Sequence, residues 1–170
     1  MPQTCTPVLA AILVLGVAAG LRAQIPASAV PTTRKEGAMT MHATGTFEVK
    51  VSPITTADTV DTGGFSRLAL DKKFSGDLTG TSLGQMLASG GPKDGSGAYV
   101  ALERVTGTLN GRTGSFALMH NGTMTPESIE MRISVVPGSG TGELSGIAGT
   151  FTLVIEGKTH SWTLEYTISK

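Results

Sequence analysis

The stretch that decides the fold runs from Tyr99 to Met124, YVALERVTGTLNGRTGSFALMHNGTM. Two runs rich in strand formers flank Asn110-Gly111. A two-residue type I′ turn needs φ > 0 at both central positions, and Asn-Gly supplies that at least cost. A turn there sets the register: Leu109 opposite Arg112, Val105 opposite Phe116, Glu103 opposite Leu118, Ala101 opposite His120 and Tyr99 opposite Gly122. Opposed residues share a face, and side chains alternate along each strand. One face therefore carries Tyr99, Ala101, Glu103, Val105, Phe116, Leu118 and His120; the other carries Val100, Leu102, Arg104, Ala117, Met119 and Asn121. Both faces are part apolar, so neither reads as plain wet surface.

Period-two alternation predicts further strands on either side of the hairpin. Before it lie 42–51, 65–74 and 77–88, with Gly76 at a turn and 89–97 (SGGPKDGSG) as a flexible loop. After it come 127–136, a tight turn at 137–142 (PGSGTG), then 149–156 and 160–168. The last of these sets His160, Trp162, Leu164, Tyr166 and Ile168 against Ser161, Thr163, Glu165 and Thr167. Eight sequential strands with short connections predict an all-β, eight-stranded antiparallel barrel, since closure removes exposed edges. A barrel of eight strands encloses either a filled core or room for one small ligand.

A length of 170 residues fits one domain. With 13 basic and 13 acidic residues the chain carries no electrostatic footprint for nucleic acid or an anionic membrane. The 23 glycines follow no G-X-Y period, which excludes collagen. Cys5 is the only cysteine, so neither an internal disulfide nor a thiolate metal site can form. Val8 to Leu21 is an apolar run of 14, short for a membrane span and right for a signal-peptide core, although the preceding MPQTCTP lacks Lys and Arg. The expected organisation is a signal peptide over 1–23, a linker over 24–38 and a β-barrel domain over 39–170, with secretion or periplasmic export and no membrane span after cleavage.

His42, His120 and His160 have no HxH or HExxH spacing, and no metal site is expected. The Gly138–Gly149 series opens no helix and Gly157-Lys158-Thr159 lacks the rest of a phosphate loop, so no cofactor motif is present. Ser82 and Ser115 have no triad order. The set with chemistry in it is Glu103 and His120 on one face of the hairpin. A carboxylate among apolar groups with an imidazole alongside makes an acid–base pair available. The alternatives are an ion pair from Glu103 to Arg104 or Arg132, or a face turned to solvent.

Four runs, 43–50, 73–87, 99–124 and 135–166, closely resemble the bacterial domain-of-unknown-function family 3224. The resemblance covers Met39 to the C-terminus. It implies an antiparallel barrel similar to allene oxide cyclase, lipocalin-like in shape, and brings no activity or catalytic residues. Cyclase chemistry does not follow from the barrel, because folds do not fix function. The expected function is binding of a small, mainly apolar ligand in the lumen, lined by Phe47, Tyr99, Phe116, Leu118, Trp162 and Tyr166, with Glu103 and His120 orienting it. An isomerase- or cyclase-like enzyme using the same pair, or a structural barrel with a filled lumen, stays open. The second part-apolar face of the hairpin leaves a homo-oligomer open as well.

Overall fold

Asn110 sits at φ 47° and Gly111 at φ 80°, the left-handed pair the hairpin turn requires. All five registers expected across the hairpin are present. The computed structural model describes residues 39–55, 64–91 and 95–169; the signal and linker segments expected over 1–38 lie outside the described residues.

The strands are β1 (Met41–Pro53), β2 (Ser66–Gly76), β3 (Leu78–Gly91), β4 (Ser96–Leu109), β5 (Arg112–Met124), β6 (Ile129–Val135), β7 (Thr141–Gly142), β8 (Ile147–Glu156) and β9 (Thr159–Ile168). Their order is β4-β3-β2-β1-β9-β8-β6-β5, and the β4–β5 pairing closes the ring. Eight strands thus form an antiparallel barrel, with β7 as a short extra strand beside Gly114 and Ser115. Following paired residues around the wall gives Ala43, Leu164, Phe151, Ile133, His120, Ala101, Met86, Leu68 and then Pro53. The circuit returns to β1 ten residues further on, from Ala43 to Pro53, a shear of ten. Eight strands with that stagger tilt by ~40°, and the interior is then just wide enough for side chains or one small ligand.

One end is sealed. Asn110 Nδ2 donates to the His42 carbonyl and to Tyr166 Oη, both at 3.1 Å, and Asp77 Oδ2 accepts from the Thr44 amide at 2.8 Å. Leu144, from the segment between β7 and β8, is wholly buried against this end with Leu78, Leu109, Ile147 and Leu164. Further in, Phe74 and Phe151 pack on Trp162 at ring distances of 6.1 and 5.5 Å, and Trp162 Nε1 donates to the Thr46 carbonyl. Gly45 makes room, because a Cβ there would stand 2.7 Å from the indole.

The opposite end is looser. Inward-facing Leu68, Met86, Tyr99, Met131, Leu153 and His160 are only part buried, and Val51 and Ile155 are about half exposed. Two local expectations need correction. Ser89–Gly91 and Ser96–Gly97 belong to strands, paired as Ser89–Ala98, Gly90–Gly97 and Gly91–Ser96; the reason is that the alternating ladder of β3 and β4 continues past the glycines. The 137–142 stretch is more than a turn, since Thr141–Gly142 pairs with β5.

Candidate functional site

Alternation places Lys72 between Leu70 and Phe74 on the inward face of β2, Ser82 on β3, Glu103 on β4 and His120 on β5. Among the described residues these four are the buried polar ones. Glu103 is their hub. Its Oε1 accepts from Lys72 Nζ at 2.8 Å and from His120 Nε2 at 2.9 Å, and its Oε2 accepts from Ser82 Oγ at 2.8 Å. A carboxylate only accepts, so His120 carries its proton on Nε2. Gly84 lies directly across from Glu103, and a Cβ there would stand 2.5 Å from the Glu103 Cβ.

Burial pushes the Glu103 carboxyl up, but the hydrogen bond from His120 and the Lys72 and His120 charges outweigh it and hold the group at about 2. Glu103 is therefore ionised at neutral pH, with two donors on Oε1 and one on Oε2. It serves to orient the imidazole and is a poor proton acceptor. Burial and the Glu103 charge together raise the Tyr99 phenol, whose ring lies over Gly122. Lys72 Nζ also stands 4.6 Å from the Phe47 ring centroid, and His160 stacks on Phe47 at 5.0 Å. The cation–ring contact compensates part of the desolvation of the ammonium.

His120 has a second property. No side-chain nitrogen or oxygen that is sealed from solvent lacks a hydrogen-bond partner among the described residues. Nδ1 of His120 has no protein partner there, so it opens onto space that solvent can reach.

The wall beside His120 is split. β6 and β8 share two pairs, Ile133–Phe151 and Ser134–Thr150, and then diverge. A cleft of about 390 Å³ occupies this seam, with Met131, Ile133, Phe151 and Leu153 from the inward face and Asn121, Arg132 and Thr152 from the outer one. Ile133 is the cross-strand neighbour of His120. Two other hollows, of about 460 and 410 Å³, lie along β3–β5, where Met86, Ala101 and His120 join the outward residues of the lining, and around Tyr99, Gly122 and Arg132; His120 is a lining residue of the first of these and a neighbour of the seam cleft through Ile133.

The structure thus brings Glu103 and His120 together, and supplies Lys72 as the ionic partner where Arg104 or Arg132 was the expected alternative; Arg104 turns outward to Ser115 Oγ. Tyr99 borders the third hollow. Phe47, Phe116, Leu118, Trp162 and Tyr166 lie in the packed core and line none of the three hollows. Sequence reasoning missed Lys72, and weighed Ser82 only as a nucleophile and not as a partner of Glu103. Its available signal was the run Leu68-Leu70-Lys72-Phe74, a lysine on an otherwise apolar strand face. Among the described residues no three His, Cys, Asp or Glu side chains gather as metal ligands.

A family model described as "Protein of unknown function (DUF3224)" matches residues 43–166, nearly the whole barrel. The chain belongs to the DUF3224 family. The barrel is also similar to the crystal structure of a DUF3224 protein with unknown function from Shewanella oneidensis MR-1. The two are 40% identical, the match covers 78% of this chain and 100% of that one, and the TM-score is 0.68. No curated protein matches the chain. The DUF3224 barrel therefore has a fold shared with a solved relative, and its function has to be argued from the site.

Proposed function

We propose that this DUF3224 barrel binds a small, mainly apolar molecule in the seam cleft, with a hydrogen-bonding group of the ligand set toward His120. The observation that carries this reading is the 390 Å³ cleft whose inner lining residue Ile133 neighbours His120, an imidazole with one nitrogen committed to Glu103 and the other unpartnered. Ligand sites are commonly 300–1,000 Å³, mostly apolar, with a few convergent polar groups. The ligand site therefore lies beside the packed core and not within it. In this reading Glu103, held at about 2 and hydrogen-bonded to three donors, does not itself accept a proton near neutral pH and serves to orient His120 toward the ligand. The apolar 8–21 run supports export of the protein before it meets its ligand.

Trp162 is a built-in reporter, because it is the only tryptophan and stacks on Phe151 of the cleft. Titration with 1-octanol and with octanoate, followed by Trp162 emission, should give a saturable change. Leu153→Phe, which fills the cleft from a part-buried position, should abolish it with the fold intact by circular dichroism. A folded wild-type protein that shows no saturable change with either probe would exclude this function.

A further inference from the structure

The outer wall is divided unequally. On β9 and β1 the outward side chains are Ser161, Thr163, Glu165, Thr46, Glu48 and Lys50, an ordinary wet surface. On β3, β4 and β5 they include Leu83, Leu87, Val100, Leu102 and Met119, each 40–68% exposed. The strand registers place these in adjoining rows: Arg67, Leu87, Val100, Asn121; then Ala69, Gln85, Leu102, Met119; then Asp71, Leu83, Arg104, Ala117. With Arg132 continuing the first row on β6, the patch spans five strands, ~19 Å, by four residues, ~13 Å. Leu83, Leu87, Val100, Leu102 and Met119 thus cluster on one wall among polar side chains, the arrangement an interaction surface has. The second hollow, about 460 Å³, runs along it.

We infer that this wall docks on a second copy of the same chain, as a two-fold dimer independent of the ligand reading above. The charges at its edge identify the occupant. Arg67 and Asp71 stand on β2 at equal distances either side of the Ala69 row. A two-fold axis lying across the strands through that row sets each Arg67 against the partner's Asp71, while Leu102 and Met119 face their own copies and Leu83 faces Leu87. An isologous interface has to be self-complementary in this way. The side chains are disposed accordingly. Arg67 reaches over the middle row to Gln85 Oε1 at 3.3 Å, Asp71 has no ion pair or hydrogen bond among the described residues, and Arg104 folds away to Ser115. An axis parallel to the strands along β4 would set Arg67 against Arg132 and is disfavoured by like charge. Convex walls touch at their centre, where Leu102 and Met119 meet their own copies and Gln85 with Arg67 lies to one side of them.

The test is oligomeric state by light scattering and sedimentation equilibrium over a wide concentration range, with four proteins. Wild type should be a dimer. Leu102→Glu sets two carboxylates across the axis and should raise the dimer dissociation constant by ~100-fold or more. Arg67→Asp should weaken association ~10-fold, and the exchange Arg67→Asp with Asp71→Arg should restore it. A wild type that stays monomeric at ~100 µM, a scale at which even a weak specific pair would associate, overturns the proposal. So does a dimer indifferent to Leu102→Glu. A monomer that instead co-sediments with phosphatidylethanolamine–phosphatidylglycerol vesicles, and loses this on Leu102→Glu, assigns the wall to a membrane and equally overturns it.

Discussion

Glu103→Gln is the substitution with the most to say about this barrel. The wild-type carboxyl is held at about 2, against 4.5 for an unperturbed glutamate. That displacement, at ~1.4 kcal/mol per pH unit, makes the ionised group worth ~3 kcal/mol to the folded state. The sign is that of a depressed acid. Between pH 2 and 4.5 the unfolded chain binds the proton and the folded one does not, so stability rises with pH through that window. The contribution is fully present above pH ~4.5 and is lost as pH falls toward 2. Gln keeps the shape but leaves Lys72 buried without a counter-ion, a situation that costs about 3–5 kcal/mol. Urea denaturation at pH 7 should therefore show a fall of ~3 kcal/mol or more, or ~1.5 M in midpoint at a slope of ~2 kcal/mol/M. The gap between the two proteins should close as pH is lowered from ~4.5 to ~2, because the wild-type carboxyl then becomes neutral as well. Lys72→Met added to Glu103→Gln removes the stranded cation and should recover at least half of the loss. A gap under ~1 kcal/mol at pH 7, or one that stays constant down to pH 2, would refute the hub assigned to Glu103.

Three further outcomes follow from the same geometry. Gly84→Ala drives a methyl against the Cβ of Glu103 and the backbone of Leu102, each 2.5 Å away; with backbone as the obstacle, a loss of ~2–3 kcal/mol by urea midpoint is expected. Asn110→Ala forces φ 47° on alanine and removes the bonds to His42 and Tyr166, so ~2–3 kcal/mol should be lost, whereas Tyr166→Phe removes one bond and should lose ~1. In Tyr166→Phe, which leaves Tyr99 as the only tyrosine, ultraviolet titration should place the phenol above 10, and adding Glu103→Gln should bring it part of the way back, since burial is the larger cause.

The hairpin was legible because Asn-Gly fixes turn, register and face together, and Glu103 and His120 met as those residues dictated. Its inward face was not, since both faces carry apolar residues; Leu102 and Met119 point out and Leu118 and Phe116 point in only because the closed wall curves that way. Lys72 and Ser82 reach Glu103 through the β2–β3 and β3–β4 ladders; Gly76 marks the first turn without fixing its register as Asn-Gly does, and the second connection lies in the stretch that reads as a loop. Alternation grouped Phe116 with Leu118, and Trp162 with Tyr166, on shared faces, but filling depends on the shear and on Leu144, just past the glycine-rich 137–142 stretch, closing the end. The seam cleft exists because β6 and β8 meet over two pairs, a consequence of where the 136–146 crossover delivers the chain.

His120 is held by Glu103 through one nitrogen, and the proposed function has it offer the other to a ligand in the seam. The most direct measurement is the imidazole ¹⁵N spectrum of the labelled protein, with His42 and His160 assigned by substitution, before and during titration with 1-octanol. Before addition, Nε2 of His120 should carry the proton. On titration, Nδ1 of His120 should shift saturably, in step with Trp162 emission, while its Nε2 stays bound to Glu103. A His120 resonance that does not move while Trp162 emission saturates, or one that shows the proton on Nδ1 in the free protein, would contradict the claim.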